Sequence, residues 1–496
     1  MSETIIRIDN VSFRHKNTDA ESLTDISLDI RRGECVLLCG KSGSGKTTLS
    51  RLINGLVPHF YEGELSGTVN VCGMNVPEAE LYETARHVGS VFQNPRSQFF
   101  CVDATSELAF GCENLGLPEE EIRKRIRATA QDIGISHLLE KNLFVLSGGE
   151  KQKVACGSVA AMEPDVFVLD EPTSNLDLTA IEDLRALLLK WKNAGKTIVI
   201  AEHRLYWTKA LCDRVICMKE GRVDFDVPME VFCRYGGVEF ARMGLRDINE
   251  PAVMPKAINE DSKKLPDNTR KDKTTDHARG HLTLKRFHYA YDHQDAIRID
   301  ELEIPIGAVV AVTGKNGAGK STFAHCLCGI QKRFQGIVEI PERRTWKRKQ
   351  LLEKSYMVMQ DVNHQLFCET VEEEVELGMR DENRERLHEV LEALQLSDLM
   401  DRHPMSISGG QKQRVAIASA VLAGKEVLVF DEPTSGLDYY HMMQTSKLLS
   451  SLMDTQTVFI ITHDPALVRR CCTHILKLEE GRVMEYGEID TCINDD

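Results

Sequence analysis

No apolar run in this sequence is long enough to cross a bilayer. The longest, such as Val166–Leu169 and Val309–Val312, fall far short of the roughly 20 residues a spanning helix needs. The amino-terminal MSETIIRIDN lacks the basic-then-apolar order of a secretory leader, so the chain is not expected to cross a membrane by itself. No CxxC occurs among the 15 cysteines, and Cys326-x-Cys328 and Cys471-Cys472 have no partner pair at zinc spacing, which argues against a metal frame. Cys35, Cys39, Cys217 and Cys326 sit inside apolar runs, as reduced core cysteines of a cytoplasmic protein do. Proline is scarce, 15 residues against 34 glycines, and the chain is 42% hydrophobic and 28% charged; disordered, collagenous and coiled-coil classes are thereby excluded. Basic residues are outnumbered 61 to 76, for a net charge of −15. That surface repels phosphate backbones, and no nucleic-acid partner is expected.

At 496 residues the chain exceeds what one core usually holds, so at least two domains are expected. They are copies of one another. LSGGEKQKVACGSVAAMEPDVFVLDEPTSNLD at 146–177 and ISGGQKQRVAIASAVLAGKEVLVFDEPTSGLD at 407–438 share 17 of 32 residues at a constant offset of 261. Upstream, CVLLCGKSGSGKTTLS at 35–50 matches VVAVTGKNGAGKSTFA at 309–324. Between the copies, residues 246–281 are polar and of mixed charge, which reads as a solvated tether. The expected domains are 1–245 and 282–496. In each, short β-rich runs (CVLLCG, DVFVLDE, KTIVIAEH, RVICMKEG; VVAVTG, EVLVFDE, TVFIITH, HILKLEEG) alternate with helical pattern, the signature of a parallel α/β sheet. Helical periodicity over about 104–163 and 370–423, for example Glu119–Gly134 and Arg384–Leu396, predicts a helical subdomain inserted in each α/β core.

Gly40-Lys41-Ser42-Gly43-Ser44-Gly45-Lys46-Thr47, followed by Thr48, and Gly314-Lys315-Asn316-Gly317-Ala318-Gly319-Lys320-Ser321, followed by Thr322, both fit GxxxxGK[ST] between strand and helix. Glycines there let backbone N–H groups wrap phosphate oxygens, the lysine neutralises phosphate charge, and the hydroxyl of Thr47 or Ser321 suits Mg²⁺. Apolar strands end in Asp170-Glu171 and Asp431-Glu432, each aspartate 23 residues beyond Ser147 or Ser408. The first carboxylate of each pair suits the metal and the second a water-polarising base. His203 and His463 close a further strand in both halves and read as γ-phosphate contacts. Gln93 and Gln360 follow SVF and MVM, where an amide can reach metal or water.

These motifs together resemble the ATP-binding-cassette (ABC) ATPases, over nearly all of both halves except the linker. The resemblance implies two P-loop NTPase domains, each a RecA-like α/β core with a helical insert, binding ATP and Mg²⁺. It implies metal contacts from Thr47, Gln93, Asp170, Ser321, Gln360 and Asp431, with Glu171 and Glu432 as general bases and His203 and His463 as switches. It further implies that the halves pair head to tail within the chain. Ser147, Gly148 and Gly149 would then cap the ATP held by Lys320, Ser408, Gly409 and Gly410 that held by Lys46, and Asp177 and Asp438 would link the sites. Tyr291 fits the adenine-stacking position; in the first half either His15 or Phe13 stands there. Glu150 in the first signature and Ala201-Glu202 before His203 depart mildly from the family. No catalytic residue is lost, so both sites are expected to hydrolyse ATP.

The stretches VGSVFQNPRSQFFCVDATSELAFGCENLGLP and MVMQDVNHQLFCETVEEEVELGM resemble the cassettes of energy-coupling-factor importers of vitamins and transition-metal ions, with Val362 in place of a proline. That resemblance implies a membrane-embedded coupling subunit, a separate membrane substrate-binding protein, and a peripheral position on the cytoplasmic face of the membrane. Glu372, Glu373 and Glu374 would either face arginines of the coupling subunit or form a solvated helix face. The alternatives are a sugar-importer cassette, whose second half usually degenerates, and a soluble tandem ATPase of ribosomes or DNA, for which the linker lacks a basic or coiled-coil arm.

Overall fold

The computed structural model describes residues 3–16, 18, 20–174, 176–250, 254–257, 280–291, 294–341, 344–379, 383–453 and 455–489. Two compact units emerge, one centred on Met1–Glu250 and the other on Pro251–Leu437 and His441–Asp496.

The first unit contains strands β1 (Thr4–His15), β2 (Leu23–Arg31), β3 (Cys35–Gly40), β4 (Gly63–Val71), β5 (Met74–Asn75), β6 (Val88–Val91), β7 (Val166–Asp170), β8 (Thr197–Ala201), β9 (Arg214–Lys219) and β10 (Arg222–Pro228). Its main sheet runs β10-β9-β3-β8-β7-β6. All neighbours pair in parallel except the β9–β10 hairpin. The apolar runs form strands because both faces of the sheet are covered. Cys35, Leu37 and Cys39 enter one core with the helices, while Val36 and Leu38 enter a second core on the opposite face. That second face packs on an antiparallel sheet, β2-β1-β4-β5.

The second unit repeats this arrangement with β11 (His281–Tyr291), β12 (Gln294–Pro305), β13 (Val309–Thr313), β14 (Gln335–Ile340), β15 (Arg344–Trp346), β16 (Ser355–Val358), β17 (Val427–Asp431), β18 (Thr457–Ile461), β19 (His474–Glu479) and β20 (Arg482–Glu488). Its main sheet is β16-β17-β18-β13-β19-β20 and its antiparallel sheet β12-β11-β14-β15, the same orders as in the first unit.

The expected helical inserts are present. In the first unit they comprise Ala104–Asn114, Glu119–Asp132 and Gly148–Ala160, and in the second Val371–Glu376, Arg384–Ala393 and Gly409–Leu422. Glu119–Asp132 forms because Ile122, Ile126 and Ala130 make one buried stripe at helical spacing, with Glu119, Glu120 and Glu121 in its first turn against the positive end of the helix dipole. Among the described residues no helix is long and apolar enough to cross a membrane, and none of the cysteines is in a disulfide.

The stretch expected as a solvated tether is packed at its described ends. Arg246 and Ile248 are buried against the first unit, and Ala257 donates its N–H to Glu485 Oε1 in the second (2.7 Å). The rest of that stretch, 251–253 and 258–279, lies outside the described residues. Alternating polar composition did not distinguish these anchored ends from the segment between them.

Candidate functional site

In each unit the loop after the central strand turns sharply into a helix, Lys46–Ile53 or Lys320–Leu327. Glycine is required at the entry. Gly40 has φ 144° and Gly314 φ 139°, and a Cβ on either would lie 2.3 or 2.2 Å from the carbonyl oxygen of Met218 or Leu478. Lys46 and Lys320 curl back across their loops. The Lys46 ammonium donates to the carbonyls of Gly40 and Lys41 (both 2.9 Å), and that of Lys320 to those of Gly314 and Lys315 (2.7 and 2.9 Å). Burial pulls Lys46 below the ordinary lysine value, opposed first by Glu171. Ser42, Gly43, Ser44, Gly45 and Thr48 complete the first loop and helix start, as Asn316, Gly317, Ala318, Gly319 and Thr322 do the second.

The acid pairs lie beside these loops. Thr47 Oγ1 is 3.3 Å from Asp170 Oδ1, and Ser321 Oγ donates to Asp431 Oδ2 at 3.0 Å. A hydroxyl and a carboxylate held together are the hard oxygen donors that Mg²⁺ takes, so the residues present fit that ion. Burial, then the neighbouring Glu171, pushes the Asp170 carboxyl up to about 6, and burial likewise raises Asp431; a bound cation favours the ionised form.

Glu171 and Glu432 both adopt left-handed backbone, φ 46° and 51°, a conformation costing a non-glycine residue on the order of 1–3 kcal/mol and typical of functional positions. Each extends its strand by one bond, donating N–H to Ala201 or Ile461 at 2.8 Å. The Glu171 carboxylate accepts from Gln93 Nε2 (2.7 Å) and lies 3.3 Å from His203 Nε2. Burial favours its neutral form, but His203, Lys46 and Arg204 outweigh that and hold it below the usual range. Glu432 Oε1 accepts from the His463 N–H (3.0 Å) and lies 3.9 Å from His463 Nε2. Gln93 and Gln360 are exposed, and Gln93 meets Glu171, not the Thr47–Asp170 pair assigned to the metal.

Ser147 and Ser408 cap the helices Gly148–Ala160 and Gly409–Leu422 through reciprocal capping boxes with Glu150 and Gln411. In the second and third positions of both signatures, Gly148, Gly149, Gly409 and Gly410 keep the first turn bare. Asp177 caps the helix Leu178–Asn193, accepting from the Ala180 N–H at 2.8 Å, and Asp438 is buried.

His15 and Phe13 differ in burial. Phe13 is 1% exposed in the core, whereas His15 is half-buried. The Phe13 and His15 rings stand 4.8 Å apart at 82°, the same arrangement as Tyr289 and Tyr291, so His15 occupies the place of Tyr291. The acidic run of the second insert is divided in role, and the expectation that all three glutamates face outward is corrected. Glu374 is buried and accepts from the Phe367 and Cys368 N–H groups (both 2.8 Å), Glu373 closes the capping box of its helix, and Glu372 pairs with Arg384 (2.9 Å). Glu107 does in the first unit what Glu374 does here, accepting from Phe100 and Cys101. Pro95 and Val362 both open 3₁₀ turns, Pro95–Ser97 and Val362–His364, so the missing proline leaves the loop shape intact. Sequence reasoning missed Glu202, Thr173, Thr434 and Asp464, buried polar residues beside the two glutamates. Thr173 and Thr434 stand in the DEPTS segment shared by both copies, and the signal for Glu202 and Asp464 was the unlike sequences flanking the two histidines.

A strand, glycine loop and helix with a curled-back lysine, a hydroxyl–aspartate pair and a strained glutamate beside a histidine define a P-loop nucleoside-triphosphate hydrolase. A family model described as ABC transporter matches residues 23–174 and 298–435, and the chain belongs to that family. It is an ABC-type ATP hydrolase with two cassettes. A protein of Treponema denticola provisionally named as an ABC transporter ATP-binding protein is 43% identical over 482 residues, 97% of this chain and 96% of its own length. The Bacillus subtilis protein provisionally named HMP/thiamine import ATP-binding protein YkoD is 31% identical over 494 residues, 96% of this chain and 90% of its own. The solved structure of the archaeal ribosome recycling factor aABCE1 with stalk protein aP1 is similar over 97% of this chain and 90% of that one, with a TM-score of 0.61 and 20% identity, a likeness of fold.

Proposed function

We propose that the chain is the ATP-driven motor subunit of an energy-coupling-factor-type importer for a vitamin or transition-metal ion, bound peripherally at the cytoplasmic face of the membrane. The observation that carries it is that both units assemble a full set of groups: Lys46, Thr47, Asp170, Glu171 and His203 in one, Lys320, Ser321, Asp431, Glu432 and His463 in the other.

In this reading Lys46 and Lys320 leave their loop carbonyls to neutralise phosphate charge, and the loop N–H groups and helix starts bind phosphate oxygens. Thr47 with Asp170, and Ser321 with Asp431, hold Mg²⁺, which supplies charge neutralisation on the phosphates; Gln93 and Gln360 are the further contacts proposed for it. Glu171 and Glu432 accept a proton from the attacking water, and His203 and His463 orient each carboxylate and the terminal phosphate. Ser147 and Ser408, with the glycines after them, offer helix-start N–H donors to phosphate. His15 and Tyr291 stack on adenine.

Import of a vitamin-like cargo is supported by the likeness to YkoD. A coupling partner is supported by apolar exposure after the glutamines. Phe100, stacked on Phe110 at 4.9 Å, is 75% exposed, Phe144 and Val145 are exposed in the same unit, and Phe367 and Leu377 are exposed in the second. Clustered exposed aromatics mark protein–protein contacts.

Glu171→Gln with Glu432→Gln is expected to bind ATP and reduce hydrolysis by roughly a hundredfold or more, the scale of general-base catalysis; parental turnover in that variant would falsify the assignment of bases. Pull-down of the tagged chain from gently solubilised membranes is expected to recover a polytopic subunit and a small membrane binding protein in stoichiometric amounts. Recovery of ribosomes, with the chain absent from membranes, overturns the transport reading.

A further inference from the structure

The two glutamates proposed as bases are held differently, and the difference traces to the residues on either side of the histidine. In the second unit these are Thr462 and Asp464. The Glu432 carboxylate is engaged at both oxygens by the histidine strand: Oε1 accepts from the His463 N–H (3.0 Å) and Oε2 from Thr462 Oγ1 (3.3 Å). Asp464 accepts from Thr434 Oγ1 (3.4 Å) and donates its own N–H to Thr462 Oγ1 (3.0 Å). In the first unit the flanking residues are Glu202 and Arg204, and the carboxylate has moved from after the histidine to before it. Glu202, 2% exposed, uses Oε1 to accept from the N–H groups of His203 and Arg204 (2.8 and 3.0 Å) and Oε2 to accept from Thr173 Oγ1 (2.6 Å). Arg204, also buried, reaches the Thr173 carbonyl with Nη1 (3.4 Å). The backbone donor that anchors Glu432 in the second unit is thus taken by Glu202 in the first, and the Glu171 carboxylate is turned to Gln93 and the His203 ring.

We propose that Glu202 is a positioning residue of the first ATP site: by occupying the His203 N–H it keeps Glu171 from folding back onto the histidine strand and leaves it directed to Gln93 and the His203 ring. Arg204 adds a buried positive charge whose field acts on Glu171. In the second site the His463 N–H and the Thr462 hydroxyl each donate to one oxygen of Glu432, favouring its charged form and making it a weaker acceptor for a proton from water. The two sites of one chain therefore differ in their chemical step while sharing their nucleotide-binding groups. This inference rests on the reading of Glu171 and Glu432 as bases.

The test uses the full chain carrying Glu432→Gln, so that turnover reports the first site alone. Glu202→Thr with Arg204→Asp installs the second unit's own flanking pair, a combination this fold already accommodates. It is expected to lower kcat about tenfold, equivalent to about 1.4 kcal/mol of barrier, with KM for ATP changed less than twofold, since neither residue is placed on the nucleotide. Glu202→Gln keeps an acceptor for both N–H groups and is expected to restore kcat to within about twofold of the Glu432→Gln parent. Should the exchanged variant fold poorly, the reciprocal Thr462→Glu with Asp464→Arg, in a Glu171→Gln chain, is expected to raise the kcat of the second site. Parental kcat in both exchanged variants overturns the inference, as does an equal loss in Glu202→Gln and the exchange, which indicates a merely structural role. Failure of the underlying reading shows separately, as retained turnover in the Glu171→Gln, Glu432→Gln chain.

Discussion

His15 shows how one substitution carries a measurable signature. Burial, with Arg51 second, lowers its imidazole below the ordinary 6.5; the Arg51 guanidinium lies over the Tyr61 ring at 3.9 Å, and that ring meets His15 edge-on at 6.4 Å. The unfolded chain consequently binds the proton at higher pH than the folded one. Stability rises with pH wherever the unfolded state holds more protons, so acidification below about 6.5 costs stability until the folded imidazole is itself protonated. His15→Phe keeps a ring for adenine and removes this term. Its chemical-denaturation midpoint, compared with the parent between about pH 5 and pH 7.5, is expected to lose part of the acid-side slope. A difference between the two proteins that does not change with pH contradicts the account. The adjacent Phe13, by contrast, is a core residue, and the sequence alone could not separate the two because both are aromatic rings at one strand end.

At the scale of elements, the loops after Gln93 and Gln360 are held by buried carboxylates. Glu107 accepts from Phe100 and Cys101 at 3.0 and 2.9 Å, and Gln98 accepts from the Phe92 N–H at 3.1 Å, so the exposed aromatic surface rests on a fixed turn. Glu107→Ala leaves both N–H groups without that acceptor and is expected to cost about 1–3 kcal/mol in thermal unfolding and to open the loop near Phe100 to proteolysis; Glu107→Gln is expected to retain most of the order. Equal protease resistance in Glu107→Ala and the parent overturns this view of the loop. The parallel strands were legible in the sequence because burial on both faces makes continuous apolar runs, as in CVLLCG and VVAVT. The antiparallel sheets were not anticipated. In TIIRIDNVSFRH the alternation is broken between Ile8 and Val11 and again before Phe13, and a bulged strand blurs the period-two signal. The buried Glu107 and Glu374 were equally hidden, since a glutamate in an acidic helix start looks solvated until its tertiary donors are known.

For the whole molecule, duplication explains why the loops and the groups beside them were legible in the sequence while the difference between the two glutamates' surroundings was not. Glycine loops, curled-back lysines and hydroxyl–aspartate pairs depend on contacts within one strand–loop–helix or between adjacent strands, and matching spacing in two copies is enough to find them. The roles of Glu202 and Asp464 depend on which donor each reaches, and the same fold satisfies both arrangements. Two intact sets of phosphate groups argue that the chain holds two nucleotides. With a non-hydrolysable ATP analogue and Mg²⁺, equilibrium dialysis is expected to give two nucleotides per parent chain, one for Lys46→Ala and one for Lys320→Ala, and none for the double variant, because each lysine donates to the carbonyls of its own loop and its loss leaves phosphate charge uncompensated in a buried site. Loss of both nucleotides from either single variant means that neither loop binds unless the other is filled. A single nucleotide on the parent chain means that one of the two loops, complete as it is in its groups, does not bind at all.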